Sequence, residues 1–420
     1  MPTHRILLVL NNCLSESNAN GRTMLRLLSG IPADDVSQIY TYGEIADTTL
    51  CGATMRITNR DVVVSYFKKP ACRMPVKVDA SETSFSSPGA AKNAITMLLR
   101  DIVWDRSPRV RRMALDWAKS LKPDLILLQV GDATLHISIA RYLARKLNIP
   151  LITYNTEDYY FKKHDYMRRT ERPGLAYQLF HRRFCAAFDR LMKEKPVCLY
   201  NCAGLKEHYD RAFGHCGEVI YCGTDFDQAG HISDDGLILY AGNLGIGRHT
   251  TLIALARALQ DIDASLRIDV FGSATADVAE ELRASPGIRY HGLASYEEVK
   301  RKIYQSRLLV HVESFDPFTS MDTRYAFSTK IADYLMSGIP ILCCGPSSGE
   351  GIAYLAGHDA AFIVADPERC AGPLNEALFN IPRRRQVTEN ALRLAHKNHA
   401  IASVQRQFEN IISAIPLKEK

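Results

Sequence analysis

The chain has 420 residues, a formal net charge of +6 and 46% hydrophobic residues. That length suggests two domains or one large one, each able to bury a core. The charge is too small to argue by itself for a nucleic-acid partner. No apolar run reaches membrane-spanning length, so neither a signal peptide nor a transmembrane helix is expected, and the 11 scattered cysteines read as reduced thiols of a cytoplasmic protein, not as a disulfide framework or metal site.

In chain order, Arg5–Asn11 predicts a strand and Gly21–Gly30 a helix, with Val36–Tyr42 and Asp61–Phe67 as further strands. Asn93–Trp104 and Val110–Leu121 carry helical periodicity, and Ser81–Gly89 reads as a loop. Asp124–Val130 is a buried strand, followed by helix Leu135–Leu147, strand Leu151–Tyr154, strand Pro196–Tyr200, helix Ala203–Ala212 and strand Glu218–Cys222. Such alternation predicts a parallel sheet with helices on both faces. Basic residues cluster at Arg106–Arg112, Lys162–Arg172 and Arg182-Arg183, the second cluster interleaved with Tyr159, Tyr160, Phe161 and Tyr166. This pattern suits an anionic membrane surface or a phosphate-bearing acceptor; the alternative is a solvated basic face.

A second run of the same style begins at Gly236. Strand Leu237–Ala241 ends in the glycine loop Gly242–Arg248, and helix Thr250–Leu259, strand Leu266–Phe271, helix Ala276–Ala284, strand Ile288–His291, helix Tyr296–Gln305 and strand Leu308–Glu313 follow. Ser314–Ala326 reads as a long loop, Ala361–Val364 as a strand, Glu368–Phe379 as a helix and Ala400–Ala414 as the closing helix. Two α/β domains joined near Cys222–Gly236 are therefore expected, with a ligand cleft between strand C-terminal edges.

The chemistry concentrates in Phe327–Gly345 and the glycine loop. Ser328 and Thr329 are placed to cap a helix that Gly338 ends and Pro340 follows. Lys330 in the first turn opposes the helix dipole, which makes sense if an anion sits there, and Asp333 shares its side of the turn and could accept sugar hydroxyls. Gly242 and Gly245 allow close backbone approach, and Arg248 at the next helix start suits a diphosphate. The glycine spacing does not fit a dinucleotide fingerprint, which disfavours a dehydrogenase. Asp225-Phe-Asp227 is a D-x-D, but its place in the linker favours a structural turn over a metal site.

Ala241-Gly-Asn-Leu-Gly245, Arg267–Gly272, Ile288–Gly292, Val312–Phe315, Phe327–Gly345 and the closing Asn398-His399 segment resemble, in order and spacing, bacterial glycosyltransferases of the GT-B fold, the donor half being similar to the retaining family 4 type. The resemblance implies two Rossmann-like domains facing each other across a cleft: an acceptor domain over 1–225, a nucleotide-sugar domain over 226–395, and residues 396–420 crossing back. It implies transfer of a sugar from a nucleotide diphosphate sugar to a glycan or lipid-linked hydroxyl, with retention, without a metal or other cofactor, at a cytoplasmic, membrane-peripheral site. Lys330 and Arg248 then stand on the donor phosphates with backbone N–H groups of Ser328 and Thr329, and Asp333 replaces the glutamate that holds the ribose. Asn243 stands where a first arginine is usual, so that phosphate contact is missing or comes from Arg324. The first glutamate of the family's E-x7-E pair has no clean counterpart, with Glu313 and Asp316 the nearest acids. In the acceptor domain Gly21, beside Arg22, falls at a glycine loop near the diphosphate, the alternative being a helix start capped by Asn20. Asp132 and Asp158 fall where an acid could orient or deprotonate the acceptor, the alternative being solvated loop carboxylates. A sugar-nucleotide 2-epimerase and an inactive nucleotide-sugar-binding subunit share this outline and stay open.

Overall fold

The computed structural model describes residues 4–16, 18–41, 45–47, 49–67, 93–228, 232 and 234–416; the loop expected over 81–89 lies outside them, as does Tyr42. Two compact units form, Met1–Tyr221 with Val404–Lys420, and Cys222–Ser403. The first boundary falls at Cys222 where 226 was expected, and the chain rejoins the first unit at Val404 where 396 was expected.

The first unit runs β1 Ile6–Leu10, α1 Ala19–Leu28, β2 Val36–Tyr40, β3 Ala53–Arg56, α2 Asn59–Ser65, α3 Ala94–Asp105, α4 Pro108–Leu121, β4 Leu125–Val130, α5 Thr134–Leu147, β5 Leu151–Asn155, α6 Leu175–Met192, β6 Val197–Tyr200, α7 Ala203–Phe213 and β7 Glu218–Val219. The strands form one parallel sheet in the order β3-β2-β1-β4-β5-β6-β7, with Ile6 in register with Val36 on one side and Leu125 on the other. Strands β1, β2, β4 and β5 are buried at every position, because helical crossovers cover both faces and both must be apolar.

Two expectations fail here. Asp61–Phe67 is not a strand: the β-branched run Val62–Val64 lies in helix α2, which a reciprocal cap nucleates. Asp61 N–H donates to Thr58 Oγ1 at 3.2 Å and Thr58 N–H to Asp61 Oδ2 at 2.9 Å. The cap satisfies two terminal donors and outweighs a weak strand propensity. The aromatic segment at 159–166 is not an open surface either. Tyr160 packs on Phe161, Phe188 and Phe213, Tyr166 packs on Tyr177, and buried Lys162 lies 5.3 Å from the ring centres of both Tyr159 and Tyr166. These rings form a small core around α6, so the aromatic interleaving reports packing.

The second unit runs β8 Leu237–Ala241, α8 Arg248–Ile262, β9 Ile268–Phe271, α9 Ala276–Ala284, β10 Ile288–Gly292, α10 Tyr296–Tyr304, β11 Ser306–Val312, α11 Pro317–Asp322, α12 Lys330–Met336, β12 Ile341–Cys344, α13 Glu350–Gly357, β13 Phe362–Val364, α14 Ala371–Phe379 and α15 Ile381–Asn398. Its parallel sheet has the order β10-β9-β8-β11-β12-β13. Helix α11 interrupts the expected loop: Pro317 at its first position is pre-set for helix, and Asp316 caps it by accepting from Thr319 N–H at 2.9 Å. Asp316 is thereby a capping residue. The last helix, α16 Ile401–Ser413, sets Val404, Phe408 and Ile412 at four-residue spacing into the core of the first unit.

No helix among the described residues is long and apolar enough to cross a membrane. The described cysteines are all free.

Candidate functional site

The second unit gathers its charged groups where β8, β11 and α12 meet the glycine loop. Gly242 closes β8, with its N–H on Phe271 O at 2.8 Å. A Cβ there would press on Lys330 Nζ and lie 2.9 Å from the Tyr240 hydroxyl, so the missing side chain is what lets Lys330 lie against the strand end. Gly247 is left-handed at φ 77° and caps α8; a Cβ there would come 2.6 Å from Ser314 Oγ. Helix α8 begins two residues earlier than its periodicity suggests, which makes Arg248 its first residue.

Arg248 is not free. Its Nε and Nη2 hold Glu313 in a fork, at 3.0 Å to Oε2 and at 2.9 and 2.8 Å to Oε1 and Oε2. Both side chains are more than four-fifths buried. His311, two residues back on β11 and so on the same face, stands 3.4 Å from Glu313 Oε1. Burial pushes the Glu313 carboxyl up, but His311 and Arg248 outweigh it and hold it down at about 2. Beside this pair, Lys330 has its Nζ 6.0 Å from the Tyr240 ring centre and makes no hydrogen bond or ion pair among the described residues. Burial first, and the Arg248 charge second, bring its ammonium down to about 8.

The remaining predicted donor-side residues separate. Ser328 and Thr329 do not cap α12 with their side chains; Thr329 is already helical at φ −61°, ψ −24°, and Ile331 N–H bonds back to Ser328 O at 3.1 Å. Ser328 joins Glu313, Ser314, Ser320, Thr323 and Ser348 around a hydroxyl-rich pocket of ≈ 20 Å³, about one water's worth of space. Asp333 is buried, and its Oδ1 accepts the Thr224 hydroxyl at 2.6 Å. Thr224 N–H bonds to His399 O at 2.8 Å, and His399 Nδ1 is 2.9 Å from Cys222 O, so Asp333 is tied to the segment where the chain leaves this unit. Asn243 turns its Oδ1 onto Gly245 N–H at 2.8 Å and braces the loop from within. Exposed Arg324 lies on the Tyr325 ring.

Asp225 and Asp227 accept the hydroxyls of Tyr296 and Tyr304 at 2.6 and 2.5 Å, and Phe226 packs between those rings. The D-x-D is thus a structural latch onto α10. Among the described residues no cluster of three or more His, Cys, Asp or Glu is arranged to hold a metal.

In the first unit, Gly21 is inside α1 and buried, and a Cβ there would collide with Cys13 O at 2.5 Å and Ser15 N at 2.7 Å. Its lack of a side chain serves chain packing, which removes it from a ligand loop. The helix cap is Asn18, accepting from Gly21 N–H at 2.6 Å, not Asn20. Asp158 is buried, and its Oδ1 accepts both the Tyr209 hydroxyl at 2.7 Å and Phe161 N–H at 3.0 Å, so it is not a solvated loop carboxylate. Asp132, half-buried, accepts the Tyr166 hydroxyl at 2.9 Å.

The structure therefore brings together Gly242, Arg248 and Lys330 of the expected set, and adds Glu313 as a bound partner with His311 and Tyr240 around it. His311 went unread, although its place two residues before Glu313 in an apolar strand was a signal for a shared face.

An Ala at 242 is expected to displace Lys330 at a stability cost of about 1–3 kcal/mol, which a urea melt on Gly242→Ala measures.

No protein-family model matches the sequence, and no curated protein matches it significantly. Solved structures match across the whole chain. Anabaena HepE in complex with UDP and glucose aligns at a TM-score of 0.63 and 13% identity, covering 98% of this chain and 100% of that one. A glycosyltransferase from Rickettsia africae aligns at 0.60 and 12%, covering 99% and 100%. WaaG, a glycosyltransferase involved in lipopolysaccharide biosynthesis, aligns at 0.56 and 13%, covering 97% and 99%. Together with the two parallel sheets, these likenesses establish the GT-B fold.

Proposed function

We propose that the chain is a glycosyltransferase whose second unit binds a nucleotide diphosphate sugar and releases its sugar to a hydroxyl of a glycan or lipid-linked acceptor. The observation that carries this reading is Lys330: a buried ammonium beside Arg248, with no ion pair or hydrogen bond among the described residues, is the charge that a diphosphate would satisfy. The fold supports it, since similar structures are glycosyltransferases, and HepE has been seen with UDP, UDP-glucose and UDP plus glucose. A UDP-hexose is therefore the first donor to try.

In the transition state the sugar gains oxocarbenium character while negative charge builds on the leaving phosphate. Lys330 meets that charge directly. Arg248 is oriented by Glu313 to present the edge of its guanidinium that the fork leaves over, and the Ser328–Thr329 backbone adds N–H donors. This pair of cations does the work a divalent ion would do, so the reaction is proposed to run without metal. Retention, the family 4 relationship and Asp132 as the acceptor-side acid belong to the same proposal. Asp333 as the ribose-holding acid belongs to it too, with the Thr224 hydroxyl on Oδ1 setting its orientation.

The test is to incubate the purified chain with UDP-, GDP- and ADP-hexoses, cell-extract acceptors and EDTA, following released nucleoside diphosphate and the anomeric configuration of the product by NMR. Absence of any nucleotide-dependent rise in melting temperature would sink the reading. Isomerised nucleotide sugar with no nucleotide released would point to an epimerase.

Lys330 also sets a pH dependence. With the free-state group at about 8, diphosphate binding above that pH must draw in a proton, so affinity is expected to fall up to about tenfold per pH unit beyond 8. Titrations with UDP from pH 7 to 10 on wild type and Lys330→Arg check this; the arginine variant should lose the inflection.

A further inference from the structure

A second cationic site lies in the first unit, sharing no residue with the Lys330 cluster. Helices α4, α5 and α6, with the C-terminal end of α3, line a groove of ≈ 490 Å³ that presents Arg111, Ser138, Arg141, Arg145, Lys146 and Arg190 among others. Five of its eight lining side chains are basic, and the one acid, Asp105, is held at the wall by Arg111 at 3.5 Å and by Arg183. A second carboxylate, Glu194, is shared in the same way: Arg141 Nε donates to it at 2.9 Å, and Arg145 Nη2 closes on the same oxygen. Each acid thus fixes two guanidinium groups, and the cations outnumber the acids.

This arrangement is more than a solvated basic face. The Arg141 side chain is only 12% exposed, so its charge sits where water screens it poorly. Arg111 Nη2, already held by Asp105, also donates to Ser138 Oγ at 2.9 Å, which gives that guanidinium a second anchor at the rim. Lys146 and Arg190 are exposed, and their side chains make no ion pair or hydrogen bond among the described residues. The fixed arginines present forks, the two loose cations can fold inward, and the hydroxyls of Ser138 and Tyr142 add neutral donors. Planar forks around a concavity of small-ligand size match tetrahedral oxyanions.

We propose that this groove binds a multiply charged phosphate compound, at a site separate from the one that takes the donor diphosphate. The chemistry read here is a row of closely spaced phosphoryl oxygens. A single phosphate would engage only part of the row. A free polyphosphorylated small molecule is the source favoured, because the groove is concave and walled by helices, where a membrane headgroup layer would meet a flat or convex face.

The experiment titrates the full chain at low salt with inorganic phosphate, pyrophosphate and tripolyphosphate, by calorimetry and thermal shift. Wild type, Lys330→Ala and the double variant Lys146→Glu/Arg190→Glu are compared, with Lys146→Arg/Arg190→Lys as the charge-preserving control. The expected result is saturable tripolyphosphate binding, tighter than phosphate, that survives Lys330→Ala and the control but weakens about tenfold or more in the Glu double variant. The two reversed side chains are exposed and make no ion pair or hydrogen bond among the described residues, so that variant should fold. Equal tripolyphosphate affinity in wild type and the Glu variant, or none in wild type, overturns the proposal. So does a Glu variant that loses binding to phosphatidylglycerol vesicles when wild type ignores tripolyphosphate, which would make the groove a membrane contact. Loss of tripolyphosphate binding in Lys330→Ala alone would assign that binding to the donor site and overturn the proposal equally, while leaving the donor reading intact.

Discussion

Lys330→Ala is expected to lower sugar-transfer turnover by about 100-fold or more, because a preorganised donor aimed at a developing oxyanion is typically worth roughly 3–4 kcal/mol. The same variant should melt no lower than wild type at neutral pH. Burial holds the Lys330 ammonium down at about 8, against an ordinary 10.5. Between those values the unfolded chain binds the proton and the folded chain does not, so stability rises with pH across that window and the charge is destabilising below it. Removing the ammonium removes that penalty. A loss of turnover accompanied by unchanged or raised melting temperature is a signature that a structural lysine does not give. Michaelis constants and calorimetric melts at pH 7 and pH 9.5, wild type against Lys330→Ala, measure both halves; wild-type turnover in the variant would remove Lys330 from the site. The stability difference between the two proteins should shrink as pH climbs from about 8 toward 10.5.

The two sheets were readable because parallel strands covered on both faces carry unbroken apolar runs, as in Leu125–Val130 and Leu237–Ala241. Where a local device overrode composition, reading failed. The Thr58–Asp61 cap turned a valine run into a helix, and Asp316-Pro317 started one inside a polar loop. Edge strand β3, with the sequence ATMR, has neither the length nor the apolar content to announce itself. The site divides in the same way. Gly242, Arg248 and Lys330 are tied to strand ends and helix starts, which are short-range signals. The Arg248–Glu313 fork spans 65 residues and the Thr224–Asp333 bond 109, and neither spacing carries a pattern. Gly21 shows the converse case. A glycine near a helix start looks like part of a ligand loop, but whether it meets ligand or chain depends on neighbours such as Cys13 that only folding supplies.

Glu313→Ala is expected to destabilise the second unit by about 3 kcal/mol, because it leaves the Arg248 guanidinium buried without its partner. For a unit of this size that corresponds to a melting shift of roughly 6–12 °C. Replacing both partners, Arg248→Met with Glu313→Leu, should recover most of the loss, since a buried ion pair and a well-packed apolar pair are often near parity. The activities should not follow the stabilities: the apolar pair, stable again, has lost a donor-site cation and stays inactive, whereas Glu313→Gln keeps hydrogen bonds to Arg248 and removes only the charge. Without that carboxylate only Asp333 is left to offset the Arg248 charge at Lys330, whose ammonium should titrate below its present value of about 8, and the alkaline limb of the UDP affinity profile should move to lower pH. Acid stability gives an independent reading. The folded Glu313 carboxyl titrates at about 2 against an ordinary 4.5, so between those values the unfolded chain takes up a proton that the folded chain refuses. Its contribution, about 3 kcal/mol, is fully present above 4.5 and drains away as pH falls toward 2. Urea melts at pH 3 and pH 7 should therefore show a gap between wild type and Glu313→Gln that narrows at the lower pH. A gap of equal size at both would mean that the fork holds the loop by shape alone and that its charge does not reach Lys330.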